Sequence, residues 1–340
     1  MTSVRRMLAS PTVDELDAWL AQPAEPEPIV VETSGSTGQP KRVVLSRRAV
    51  LASGAATAAR LGGTGPWVLA LPMTYVAGLQ VACRSLAAGH RPVLLDDHGS
   101  LAGAVAAAGD APYVSLVATQ LVRALRSPAD TAALARCAAV LVGGGPVDRE
   151  LREHAADGGI RVVATYGSAE TAGGCVYDGL PLDGVAVAIG ANGRIRIGGP
   201  TLFDGYDGNP ALTADVLVDG WFLTADAGRF DEDGRLQVLG RLDDMVISGG
   251  VKVPTGIVAA RLREHPAVTA VDVGRLADDE WGERVVAWVV GDLSLDEARD
   301  WVAELHPRSW APRELRVLDE MPMLRNGKVD RRALRGESRD

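Results

Sequence analysis

The stretch Thr33-Ser34-Gly35-Ser36-Thr37-Gly38-Gln39-Pro40-Lys41 gathers hydroxyls, glycines and a closing lysine between two apolar runs, Ile29-Val30-Val31 and Val43-Val44-Leu45. A tip this poor in bulky side chains leaves backbone N–H groups free, and successive N–H groups beside an ammonium make a nest for an anion such as phosphate. The β-prone runs on either side predict a hairpin. The stretch is not a Walker A loop, because the Gly-Lys-Ser/Thr ending is missing and a strand follows where that motif needs a helix. A plain glycine- and serine-rich loop is the alternative reading.

Of the 35 basic residues only Lys41, Lys252 and Lys328 are lysines. In a chain that uses arginine for its surface cations, a retained lysine marks a place where a compact, rotatable ammonium matters, although chance placement gives the same count. A formal charge of −9 without a basic block speaks against nucleic acid and anionic membrane. No apolar run reaches membrane-spanning length and no secretory h-region follows Arg5-Arg6, so the expected location is cytoplasmic. Cys83, Cys137 and Cys175 lack CxxC spacing, which argues against a cysteine metal site or a disulfide framework.

The elements that must carry these residues are legible in outline. A helical lead over Asp14 to Leu20 and a Pro/Glu linker over Pro23 to Pro28 come first. Ser46 predicts an N-cap for a helix from Arg47 to about Leu61, and Trp67 to Leu71 predicts a buried strand. Gly78 to Ala88 predicts a buried helix with Gln80 and Arg84 on one face, one turn apart. A buried arginine needs an anion, either a structural carboxylate or a ligand. From Tyr113 the chain alternates: strand Tyr113 to Val117, helix to about Ala133, strand Ala138 to Val142 ending in Gly143-Gly144-Gly145, helix near Asp148 to Ala156, strand Arg161 to Thr165 ending at Tyr166-Gly167. This spacing implies a parallel sheet, whose ligands gather at the carboxyl ends of the strands. Glu170 stands just past the last turn. From Gly240 the pattern becomes a small α+β unit, in which Ser294 to Glu297 is a capping box and Asn326-Gly327 a tight-turn signal presenting Lys328.

These motifs, in this order, resemble those of the adenylate-forming superfamily of acyl-CoA ligases, adenylation domains and luciferases. The stretches Leu71 to Gln80 and Tyr166 to Thr171 resemble most its o-succinylbenzoate–CoA ligase branch, and the resemblance covers nearly the whole chain. It implies a large α/β N-terminal domain over 1–240 and a small mobile α+β lid over 241–340, the N-terminal part being shorter than is usual in the family. It implies ATP and CoA as substrates, Mg²⁺ as cofactor, and an aromatic dicarboxylic acid activated through an acyl-adenylate. Another carboxylic acid, or a non-catalytic adenylate-binding relative, stays open, as does a homodimer.

The resemblance also implies roles. Lys328 is the expected catalytic lysine; Thr33, Ser34, Gly35, Ser36, Thr37, Gly38 and Lys41 hold phosphates; Glu170 is the magnesium ligand. Gly143, Gly144, Gly145, Tyr166, Gly167, Ser168, Asp226 and Arg241 face the nucleotide. Tyr75, Ala77, Gly78, Arg84 and Thr171 face the acid, with Arg84 on its ring carboxylate. Asp243 takes the hinge position, and Gly249, Gly250 and Lys252 the loop that faces CoA. Tyr75 stands where many relatives have histidine, and Ala225 where they often have glycine. Gly193 to Pro200 and Phe203 to Tyr206 match a β-rich subdomain and read as structural.

Overall fold

The computed structural model of the chain describes residues 8–33, 41–145, 147, 149–242, 244–323 and 329–336. Ser34 to Gly38, Asp243 and Lys328 therefore lie outside the described residues. The chain forms two compact units. The first comprises Met1–Ala188, Arg196–Leu223 and Phe230–Leu236, and the second Ile189–Ile195, Thr224–Arg229 and Gln237–Asp340, so the chain passes between them more than once.

The first unit is built on a seven-stranded sheet. Five strands are parallel, in the order Val162–Ser168, Ala139–Gly143, Tyr113–Val117, Trp67–Leu69, Val93–Leu94. Gly173–Tyr177 and Leu180–Pro181 add antiparallel strands beyond Val162–Ser168. The near-continuous apolar runs read in the sequence are what a parallel sheet with both faces covered requires. Val68, Val114, Val140 and Val142 are all fully buried in the core beneath it. A second sheet holds the predicted hairpin, with Ile29–Thr33 antiparallel to Lys41–Leu45 and Thr33 opposite Lys41. Gly205–Tyr206 pairs with the outer side of Lys41–Leu45.

Helix Arg47–Leu61 starts at its expected cap, where the Ser46 hydroxyl accepts from the Ala49 N–H, and it stops at Gly62 in a left-handed conformation. Helix Val76–Ala87 begins two residues earlier than the sequence suggested. Three expectations need correction. The single helix expected to run to about Ala133 is two, Ala118–Leu125 and Pro128–Leu134; the Ser127 hydroxyl caps the second, and Pro128, which lacks an N–H, cannot continue the first. The strand expected to reach Leu71 ends at Leu69. The strand expected to end at Tyr166-Gly167 runs on to Ser168 because it turns into antiparallel pairing with Gly173–Tyr177.

In the second unit, Met245–Ser248, Val251–Pro254, Val268–Asp278 and Gly282–Gly291 form an antiparallel sheet, joined by Glu314–Val317 parallel to Gly282–Gly291. Helices Thr255–Arg263 and Leu295–Ala303 cover one face, the second opened by the Ser294–Glu297 capping box. Among the described residues no helix is long and apolar enough to cross a membrane.

Candidate active site

The carboxyl edge of the parallel sheet carries two glycine turns, and each glycine there answers a steric demand. Gly143 closes its strand where a Cβ would stand 2.6 Å from the Thr165 hydroxyl, while Gly144 has φ +80° and Gly145 faces open space. At Gly167 a Cβ would lie 2.1 Å from the Gly173 carbonyl oxygen, so the antiparallel turn closes only with glycine. Backbone is thus bare at both strand ends, as close approach of a planar ligand requires. Tyr166 is half-buried beside these turns, and the Ser168 hydroxyl is buried without a partner.

Thr171, expected to face the acid, is fully buried. Its hydroxyl accepts from the Ser168 N–H at 2.9 Å and donates to the Gly173 carbonyl at 2.7 Å. These bonds shape the turn between Ser168 and Gly173.

Glu170, one residue earlier, is buried as well, and no cation pairs with it among the described residues. Its Oε1 accepts from the Tyr206 hydroxyl at 2.8 Å. Burial, and then the Glu170 charge, hold the Tyr206 phenol above its usual pKa, so it is a donor throughout the working range. A buried carboxylate answered only by a neutral hydroxyl is costly on its own and suits a hard divalent cation such as Mg²⁺. Lys41 stands nearby, its Nζ 5.4 Å from the centre of the Tyr206 ring.

Helix Val76–Ala87 descends from this edge. Gly78 packs on the carbonyls of Leu71 and Pro72, with the exposed Tyr75 and Ala77 above it. Arg84 lies six residues on, about 9 Å further down the axis. There the Ser85 hydroxyl accepts from the Trp67 N–H, which sets this turn level with the start of a strand. Arg84 is buried, its guanidinium 5.4 Å from the Trp67 ring, and its Nε has no partner. It lines a pocket of about 290 Å³ between this helix and Arg47–Leu61, walled by Val50, Gly54, Leu61 and Trp67. Gln80 lines the same pocket and also lies 3.3 Å from where a Cβ on Gly173 would be, so the pocket abuts the Ser168 to Gly173 turn. Gln80 Oε1 is likewise buried and unpartnered. Among the described residues, the orphan groups of Arg84 and Gln80 give an otherwise apolar pocket polar capacity in reserve.

The remaining expected residues fall in the second unit. Asp226 lies in strand Trp221–Phe230, its N–H donating to the Thr224 hydroxyl at 3.0 Å, and Arg241 ends strand Leu236–Arg241. Gly249, with φ +56°, sits under the Trp281 ring, over which the Arg313 guanidinium lies at 3.6 Å from the ring centre. Lys252 and Arg194 border a cleft of about 380 Å³ with Leu242, Met245 and Ile247.

The contacts of Tyr206, read from the sequence as structural, with Glu170 and of Trp67 with Arg84 were not foreseen. Tyr206 left one faint signal, being among only five tyrosines in the chain.

The fold is that of adenylate-forming enzymes, and the chain belongs to the AMP-binding enzyme family. The model of that family matches residues 22–207, and the model of the AMP-binding enzyme C-terminal domain matches 258–328. The chain is 48% identical, over 319 residues, to the probable 2-succinylbenzoate–CoA ligase of Mycobacterium tuberculosis, covering 90% of this chain and 83% of the relative. Among solved structures it is similar to the o-succinylbenzoate CoA synthetase of Bacillus subtilis in complex with its acyl-adenylate intermediate, at 27% identity and a TM-score of 0.76, covering 92% of this chain and 69% of that one. The same Bacillus enzyme in complex with ATP and magnesium ion matches at 27% identity and a TM-score of 0.75, over 90% and 69%.

Proposed function

We propose that the protein is an ATP-dependent ligase that joins o-succinylbenzoate to CoA through an acyl-adenylate. The observation that carries this reading is the 48% identity to the mycobacterial relative across 90% of the chain. In the first step a carboxylate oxygen of the acid attacks the α-phosphorus of ATP and pyrophosphate leaves. In the second the CoA thiol attacks the acyl carbon and AMP leaves. Both steps gather negative charge on oxygen, so fixed donors and cations do most of the catalysis.

In this reading Gly143 to Gly145 and Tyr166 to Ser168 enclose the adenine, Asp226 accepts the ribose hydroxyls, and Arg241 reaches ribose and phosphate. Thr33 to Lys41 cradles the phosphates. Glu170 holds Mg²⁺, which when bound screens the phosphate charge. Lys328 neutralises the charge that builds between carboxylate and α-phosphate. Arg84 takes the ring carboxylate: its unpartnered Nε in an apolar pocket beneath Gln80 supports a long acid with a second anion at its far end. Residues 241–340 serve as a lid turning about Asp243, which presents Gly249, Gly250 and Lys252 to CoA.

Pyrophosphate release, measured with a panel of acids in the presence of Mg·ATP and followed by thioester formation on adding CoA, tests the proposal. The expected result is release with o-succinylbenzoate well above release with its monocarboxylate analogue. No release with any acid would overturn the ligase reading, and preference for an unrelated acid would overturn the substrate.

A further inference from the structure

We propose that Tyr206 is a positioning residue for the adenylation step, holding the Glu170 carboxylate in register with the strand that leaves the phosphate loop. The inference rests on the reading of Glu170 as the metal ligand. Tyr206 is tied at three points. Its backbone pairs with Val43, and Gly205 with Val44, so it sits two residues from Lys41 in the ladder. Its N–H donates to the Thr213 hydroxyl at 2.8 Å, and its ring packs edge-on to Phe203 with centres 5.0 Å apart. Its hydroxyl reaches Glu170, 36 residues away in sequence, while the Phe203 N–H donates to the Glu170 carbonyl at 3.0 Å. The segment thus grips Glu170 by both main chain and side chain. Gly205 makes this possible, since φ is +148° there and a Cβ would stand 2.9 Å from the Thr213 methyl.

The chemistry of the grip matters as much as its geometry. A ligating carboxylate binds best when a hydrogen bond to one oxygen fixes its rotation. A lysine or arginine in that place would cancel the charge the cation needs; a neutral phenol orients the group and leaves the charge in place. The same ring carries Lys41 on its face rather than in an ion pair with Glu170. One side chain thereby sets the spacing between the anion that holds metal and the cation that closes the phosphate loop.

Tyr206→Phe keeps the ring and removes the hydroxyl. Mn²⁺ bound in the presence of ATP but without acid, followed by the electron paramagnetic resonance of free Mn²⁺, reads the metal site without turnover. The expected loss of Mn²⁺ affinity is about tenfold, within the range for removing a hydrogen-bond partner behind a metal ligand. ATP binding in EDTA should not change, and the Mg²⁺ needed for half-maximal pyrophosphate release should rise in parallel while kcat at saturating Mg²⁺ stays near the parent value. In a Glu170→Gln background, the second substitution should add no further loss. Parent-like Mn²⁺ affinity in Tyr206→Phe, or an equal loss in both backgrounds, would overturn the inference. Glu170→Gln with parent-like Mn²⁺ affinity would instead remove the metal reading on which it rests. If circular dichroism shows that Tyr206→Phe does not fold, Glu170→Asp draws the carboxylate away from the hydroxyl and should give a similar loss, and parent-like affinity there again overturns it.

Discussion

Gly78 lies in the crook of Pro72: a Cβ on Gly78 would stand 2.3 Å from the Pro72 carbonyl oxygen and 2.5 Å from that of Leu71. Both obstacles are main chain and cannot swing aside. The first turn of helix Val76–Ala87 can therefore press against the exit of strand Trp67–Leu69 only through a residue without a side chain.

Gly78→Ala should accordingly destabilise the protein by about 3 kcal/mol, the upper end for overpacking, because backbone must move. Denaturant unfolding measures it. A change below about 0.5 kcal/mol would mean that the helix start relaxes freely.

Lys328→Ala should abolish adenylation while sparing thioester formation from supplied acyl-adenylate. Loss of a charge contact made in the transition state costs ~3–4 kcal/mol, a rate loss on the order of a hundred- to a thousandfold. Pyrophosphate release and CoA acylation, assayed separately, give the two halves. Equal loss in both would count against the assigned role.

Arg84→Ala tests the pocket. If the guanidinium answers a ring carboxylate, its removal leaves a buried anion unpaired, at about 2–5 kcal/mol. The ratio of kcat/KM for o-succinylbenzoate over its monocarboxylate analogue should collapse in the variant. An unchanged ratio, with both substrates impaired, would make Arg84 a support for Trp67 and the surrounding helices.

The three cysteines give a pH signature. Burial pushes the thiols of Cys83 and Cys175 up to about 12 and that of Cys137 to about 11. A thiol whose folded pKa lies above its unfolded value of 9.0 leaves stability intact below pH 9 and erodes it as pH rises toward 11 to 12, because only the unfolded chain can ionise. Stability should therefore fall above pH 9. A thiol reagent at pH 8 should label none of the three quickly in the native state and all three after unfolding. Fast native labelling of any one would contradict its burial.

What the sequence disclosed was local. Ser46 and Ser294 announced helix starts, and the runs at Tyr113 and Ala138 a parallel sheet, because caps and apolar periodicity act over a few residues. The Ser127-Pro128 break was equally local and was overlooked within a run of good helix formers. The contacts that define the site were of another kind. Tyr206 meets Glu170, and Gln80 meets both Gly173 and the Arg84 pocket, only once sheets and helices have stacked. No spacing rule reaches that far. The bonds of the Thr171 hydroxyl to Ser168 and Gly173 were likewise out of reach, because they exist only once the strand has turned back on itself.

The threading of the chain bears on how such a protein could be recombined. Ile189–Ile195 and Thr224–Arg229 belong with the residues from Gln237 onward. Within that unit the Leu242 N–H donates to the Ala225 carbonyl at 2.6 Å, and the Thr224 hydroxyl to that of Ile195 at 2.9 Å. A genetic crossover between two relatives at residue 236 would join one parent's C-terminal third to strand segments inherited from the other. Functional chimaeras should therefore be recovered more often when the two parents agree in those thirteen residues, seven from the first segment and six from the second, than when they agree elsewhere.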